Sequence, residues 1–142
     1  MKLWTQRLAR WIVGALLIYA GGLKAGAPGS LIRDIWNYRL IPDDAAYWLA
    51  AGLPCLEIVA GLALITGLQT RGAHLLAASL LIAFIAALAS AWIRGLDIAC
   101  GCFGTASAAH TNYPLLVGRN LALLAALAWS ASGLRPNKAK SL

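Results

Sequence analysis

The sequence predicts an all-α integral membrane protein: a bundle of four transmembrane helices, both termini cytoplasmic, with a short amphipathic helix on the extracytoplasmic face. Three observations carry this. The 142 residues are 61% apolar and only 12% charged, whereas a soluble domain of this size carries about a quarter charged residues to keep its surface wetted. No charged stripe follows the apolar stretches at the helical period. Four of those stretches reach the length of about 20 residues that crosses a hydrocarbon layer.

The first span covers residues 11–27. Lys2, Arg7 and Arg10 precede it, and Ala25-Gly26-Ala27 after it has the small-residue spacing of a cleavage site. The segment therefore also reads as a signal peptide. Lys24 beside the cut, and a three-helix remainder with one terminus on the wrong side, argue for a retained span. From Pro28 to Pro42, Leu31, Ile32, Ile35 and Trp36 recur at helical spacing while Arg33, Asp34 and Asn37 point elsewhere. This predicts an interfacial helix that lids the bundle or docks a partner, with Ser30 as its N-cap.

The second span, 45–67, holds three unusual residues. Pro54, with Gly52 before it, is expected to kink the helix and free backbone carbonyls. Cys55, near mid-bilayer by helical rise, reads as a buried, inert thiol. Glu57 is costly in hydrocarbon, so it must be protonated, paired or turned to an internal cavity. Lys24 and Arg119 are its candidate partners, although either can snorkel to the interface instead. A structural polar contact is the plainer role for Glu57; proton handling or ligand binding is the other.

The third span covers 73–93, with His74 at its start assigned no role. The fourth covers 115–134, with Arg119 and Asn120 in its first turns. Gly14, Gly21, Gly22, Gly61, Ala77, Ala78, Ala86, Ala87, Ala125 and Ala126 read as small contacts that let helices approach. With no linker, long loop or repeat, residues 1–142 form one domain.

Charge sets the orientation. Lys2, Arg7, Arg10, Arg71, Arg135, Lys138 and Lys140 lie on one side with no acid among them. Lys24, Arg33, Arg39, Arg94 and Arg119 lie on the other, diluted by Asp34, Asp43, Asp44 and Asp97. Basic residues of short loops favour the cytoplasm, so the protein is expected in the inner (plasma) membrane with both termini inside. Trp4, Trp11 and Trp129 then mark one interface, and Trp36, Trp48 and Trp92 the other. The net charge of +7 thus serves topology. Its residues form no patch with stacking aromatics, which excludes nucleic acid as a partner.

The loop after the third span reads Asp97-Ile98-Ala99-Cys100-Gly101-Cys102-Phe103-Gly104. It is expected on the periplasmic side, where disulfides persist. A bridge across one residue closes a small ring; Gly101 supplies the dihedrals, yet strain remains, and strain makes a disulfide a better oxidant. Such a bridge suits exchange more than stapling, which profits from long loops. Metal binding, inert thiols and an intermolecular bridge are the alternatives. His110 offers a third ligand but no fourth stands near for zinc, so no metal is expected, and copper(I) is the best of the metal options. His110 can instead lower a thiol pKa, though a solvated loop histidine is the plainer reading. Since Cys55 stands alone in the spans, a thiol relay cannot cross the bilayer. Electrons reaching Cys100 and Cys102 leave through an outside partner or a lipid-soluble acceptor such as a quinone.

Five blocks, in order along nearly the whole chain, resemble the MauE branch of the DoxX-like membrane proteins. They are Ala20-Gly21-Gly22-Leu23-Lys24, Ile35-x-x-Tyr38-Arg39-Leu40-Ile41-Pro42, Leu53-Pro54-Cys55-Leu56-Glu57-Ile58-x-x-Gly61, Arg94-Gly95-x-Asp97-x-x-Cys100-Gly101-Cys102-Phe103-Gly104 and Arg119-Asn120-x-x-Leu123. The Cys-Gly-Cys-Phe-Gly block is the most specific. The resemblance implies a four-helix membrane bundle tied to thiol redox chemistry. Its namesakes act in methylamine utilisation, forming or transporting the disulfide-rich small subunit of methylamine dehydrogenase beside a thioredoxin-like partner.

Three functions follow in order. The first is a redox accessory exchanging disulfides with an extracytoplasmic partner through Cys100 and Cys102, supported by Asp97, Gly101, Phe103, Gly104 and His110. The second is a quinone-coupled oxidoreductase with its site between Glu57, Arg119 and the cysteine loop. The third is a small transporter or metal-handling protein using Glu57 and the cysteines. A homo-oligomer is left open.

Overall fold

The computed structural model describes residues 1–68, 70–96 and 112–132. They form five helices: α1 (Lys2–Gly26), α2 (Pro28–Tyr38), α3 (Asp43–Thr66), α4 (Thr70–Ile93) and α5 (Tyr113–Ala131). All but α2 are long and apolar enough to span a membrane. The architecture is a membrane four-helix bundle. Around the bundle α1 neighbours α3 and α5, and α4 neighbours the same two, while α2 packs on α3 and α1.

Each helix stops for a local reason. Gly67 ends α3 in the left-handed conformation at φ 77°, which a residue without Cβ adopts freely. Pro28 and Pro114 stand in the first turns of α2 and α5, where the missing N–H costs nothing. Two expectations shift. The cap of α2 is Ala27 rather than Ser30; Ser30 lies inside the first turn and donates to the Ala27 carbonyl at 2.8 Å. The first helix begins at Lys2 instead of residue 11. Its early turns are held by Gln6, which is buried and donates to Trp129 O at 3.4 Å and Ser132 Oγ at 3.2 Å on α5.

The core is contributed by all four spans: Val13 and Leu17, Ala60 and Leu64, Ala73, Ala77, Leu80 and Leu81, and Leu127. In lipid no hydrophobic force draws helices together, so close packing of small residues must do it. At the α1–α3 seam Gly14 and Gly61 face each other. A Cβ on Gly14 would lie 2.8 Å from Gly61 O, and one on Gly61 would lie 2.5 Å from Gly14 O. A Cβ on Gly21 would meet Pro54 O at 2.9 Å. Gly22, also expected as a contact, instead faces open space. Helix α3 runs unbroken through Pro54.

All six tryptophans are exposed on the bundle surface, as ring anchors at two interfaces should be. Lys2 Nζ lies 5.8 Å from the Trp129 ring centroid at one end, and Trp36 meets Tyr47 edge-on at 5.7 Å at the other. His74 has a structural part after all: it is buried, with Nε2 2.8 Å from Ser130 Oγ, tying α4 to α5.

The seam is testable. Gly61→Ala is expected to lower stability by about 1–3 kcal/mol through overpacking. Gly22→Ala should be neutral or raise stability by about 0.5–1 kcal/mol through helix propensity. Thermal unfolding of both variants in detergent micelles measures the contrast.

Candidate functional site

The close approach at Gly21 sets up the polar centre of the bundle. Lys24 lies one turn further along α1, and Glu57 one turn beyond Pro54 on α3. Their side chains form an ion pair, Lys24 Nζ to Glu57 Oε1, with side-chain exposures of 3% and 0%. Of the two partners expected for Glu57, Lys24 is paired with it and does not snorkel. Its ammonium also stands over the Phe84 ring of α4, 4.4 Å from the centroid, a favourable cation–π contact in a dry site.

Glu57 Oε2 is buried without a hydrogen-bond partner among the described residues. It borders a cavity of about 30 Å³ shared by Lys24, Arg119, Asn120 and Phe84. That volume accommodates a water molecule, whereas a benzene-sized ring needs about 150 Å³. The quinone site expected between Glu57, Arg119 and the cysteine loop includes residues outside the described ones; the described space beside Glu57 and Arg119 is water-sized. Asn120 is buried and donates to Leu116 O of its own helix at 2.8 Å.

A larger cavity of about 250 Å³, open on one side, lies beneath α2. Its wall is mostly apolar, with Leu31, Leu53, Phe84 and Ala87 from three helices, and its polar members are Lys24, Asp34 and Tyr38. Burial pushes the Asp34 carboxyl above its ordinary pKa, and the neighbouring Arg33 charge pulls it partly back. Lys24 borders both cavities.

Cys55 is a correction. It is exposed on the bundle surface, not buried. A helix turns about 200° over two residues, so with Glu57 facing inward Cys55 must face outward. Asp97, Cys100, Gly101, Cys102, Phe103, Gly104 and His110 lie outside the described residues. The two ends of their loop do not. Tyr113 Oη donates to Leu96 O, so the chain leaving α4 and the chain entering α5 are bonded together. Arg94 Nη1 donates to Tyr38 O at 2.7 Å, pinning that stem to the end of α2. Tyr38, Leu96, Leu116 and Val117 pack around Leu88, Ala91 and Tyr113. Sequence reading missed this apolar plug; Tyr113 beside Pro114 is its one visible signal. Among the described residues no three His, Cys, Asp or Glu side chains gather as metal ligands.

Comparison with known proteins adds a family. Residues 2–133 match the model of the family described as methylamine utilisation protein MauE. The chain belongs to the MauE family. It is 36% identical over 136 residues to the methylamine utilization protein MauE of Paracoccus denitrificans, covering 94% of this chain and 70% of that protein. No solved structure matches it.

In this MauE-family chain the paired charges are expected to matter more broken than removed. Lys24→Met leaves a buried carboxylate and should cost about 3–5 kcal/mol. The double variant Lys24→Met/Glu57→Gln should recover most of that loss. Thermal unfolding of the single and double variants completes the cycle.

Proposed function

We propose that this protein is a thiol–disulfide redox accessory of the inner (plasma) membrane, acting on an extracytoplasmic partner through Cys100 and Cys102. The observation that carries the reading is two cysteines one residue apart, on a loop whose stems are bonded to each other and pinned to α2. The described stems fix the two points from which that loop departs, which suits chemistry carried out next to α2.

The chemistry needs no metal. A thiolate of the partner attacks one sulfur of the Cys100–Cys102 bridge, a mixed disulfide forms, and the partner's second thiolate displaces it. The partner gains a disulfide and loses two electrons and two protons; Cys100 and Cys102 become thiols. Asp97, Gly101, Phe103, Gly104 and His110, which flank the pair in sequence, are its supporting residues in this reading.

Kinship to the MauE protein of Paracoccus denitrificans supports a part in methylamine utilisation. In this reading the partner is a thioredoxin-like protein or the disulfide-rich small subunit of methylamine dehydrogenase. Affiliation with the wider DoxX-like proteins, the loop on the periplasmic side and a homo-oligomeric state belong to the same proposal. Basic residues at the opposite end of the bundle, Lys2, Arg7 and Arg10, support the orientation.

Cys100→Ser or Cys102→Ser should trap a mixed disulfide with the partner, seen as a reducible band on a non-reducing gel. An impermeant thiol reagent should tag the pair in intact, reduced cells. If the double Ser variant leaves the thiol state of every extracytoplasmic protein unchanged, the function is something else.

A further inference from the structure

We propose that the cavity beneath α2 binds a neutral, lipid-soluble carbonyl ring of the quinone class, with Lys24 and Asp34 as its polar contacts. Size comes first. About 250 Å³ exceeds the roughly 150 Å³ that holds benzene, so a substituted six-membered ring fits, its tail leaving through the open side. The wall offers the flat, apolar lining of Phe84, Leu53 and Ala87 that such a ring prefers.

Charge selects the class. Lys24 is neutralised by Glu57 and Asp34 stands beside Arg33, so neither a phosphate headgroup nor a carboxylate finds an unopposed cation. A neutral oxygen does better. An ammonium carries three donors; one serves Glu57, leaving N–H groups for a ring carbonyl. The Asp34 carboxylate accepts from the hydroxyl of the reduced ring. A plain acyl chain would use neither group.

The site's binding stands on the cavity alone; its purpose rests on the thiol reading, for which it supplies the acceptor. After exchange with a partner, Cys100 and Cys102 are thiols. Closing them again to a disulfide releases two electrons and two protons, and the quinone takes up both pairs as hydroquinone. Tyr38 borders the cavity and its carbonyl holds Arg94 at the stem of the cysteine loop. The cavity and the loop thus share one anchor.

The test uses the full chain in lipid nanodiscs with a short-tailed azidoquinone as photoprobe. A saturable adduct should map to residues 31–41, 49–53 or 83–87. Unlabelled quinone should displace it, and a saturated alcohol of equal tail length should not. Asp34→Leu should weaken displacement of the adduct by the reduced, hydroquinone form about tenfold while Asp34→Asn, which keeps an acceptor for its hydroxyl, retains it. Ala87→Phe, which fills the cavity, should abolish the adduct; if it fails to fold, the Asp34 pair decides. Equal displacement by the alcohol makes the cavity a lipid groove and overturns the proposal, as does an adduct elsewhere or one indifferent to these variants. The Cys100→Ser/Cys102→Ser variant separates the two proposals. Binding that survives it while no partner exchanges thiols leaves this site standing and removes the function proposed above; the reverse outcome does the opposite.

Discussion

A carboxylate and an ammonium buried against each other hold the centre of this bundle. Neither Lys24 nor Glu57 could remain charged alone in hydrocarbon, and together they persist because each lies within bonding reach of the other. That reach depends on glycine. Helices α1 and α3 meet where Gly14, Gly21 and Gly61 carry no side chain, so the backbones come close and Lys24 extends across the gap. The ion pair and the small-residue seam are one device: the seam sets the distance, and the pair fixes the register.

The same lysine joins the two cavities. On one side lies a water-sized space with Glu57, Arg119 and Asn120; on the other, the larger apolar space beneath α2. Helix α2 roofs that second space, and its last residues receive Arg94 from the stem of the cysteine loop. The polar centre, the cavity and the loop base therefore form a continuous series of contacts from mid-bundle to one end. Chemistry at the cysteines would take place on a base whose position is set by α2.

Much of this was legible in the sequence, and the failures have physical causes. The four spans were readable because hydrocarbon thickness imposes a length and forbids charge. Helix α2 was readable from Leu31, Ile32, Ile35 and Trp36, but its start was not, since Pro28 at the first turn moves the cap back to Ala27. The early turns of α1 were missed because they are stabilised by Gln6 reaching Ser132 and Trp129, a contact no local pattern announces. Helical rise sets an expected depth for Cys55 but says nothing of the direction it faces around the helix. For Glu57 the sequence offered two cations, and it took the packing of α1 on α3 to show Lys24 paired with it. The cysteine pair is read from spacing alone, while the Tyr113–Leu96 closure between the ends of α4 and α5 needed the fold.

One contact has a consequence for how the chain is threaded. Gln6 touches Ser132, and Lys2 lies over Trp129, so the first and last described turns sit side by side. Among the described residues the four spans therefore close a circuit, with α1 beside α5 as well as α3. Whatever loosens the last turn of α5 also frees the first turn of α1.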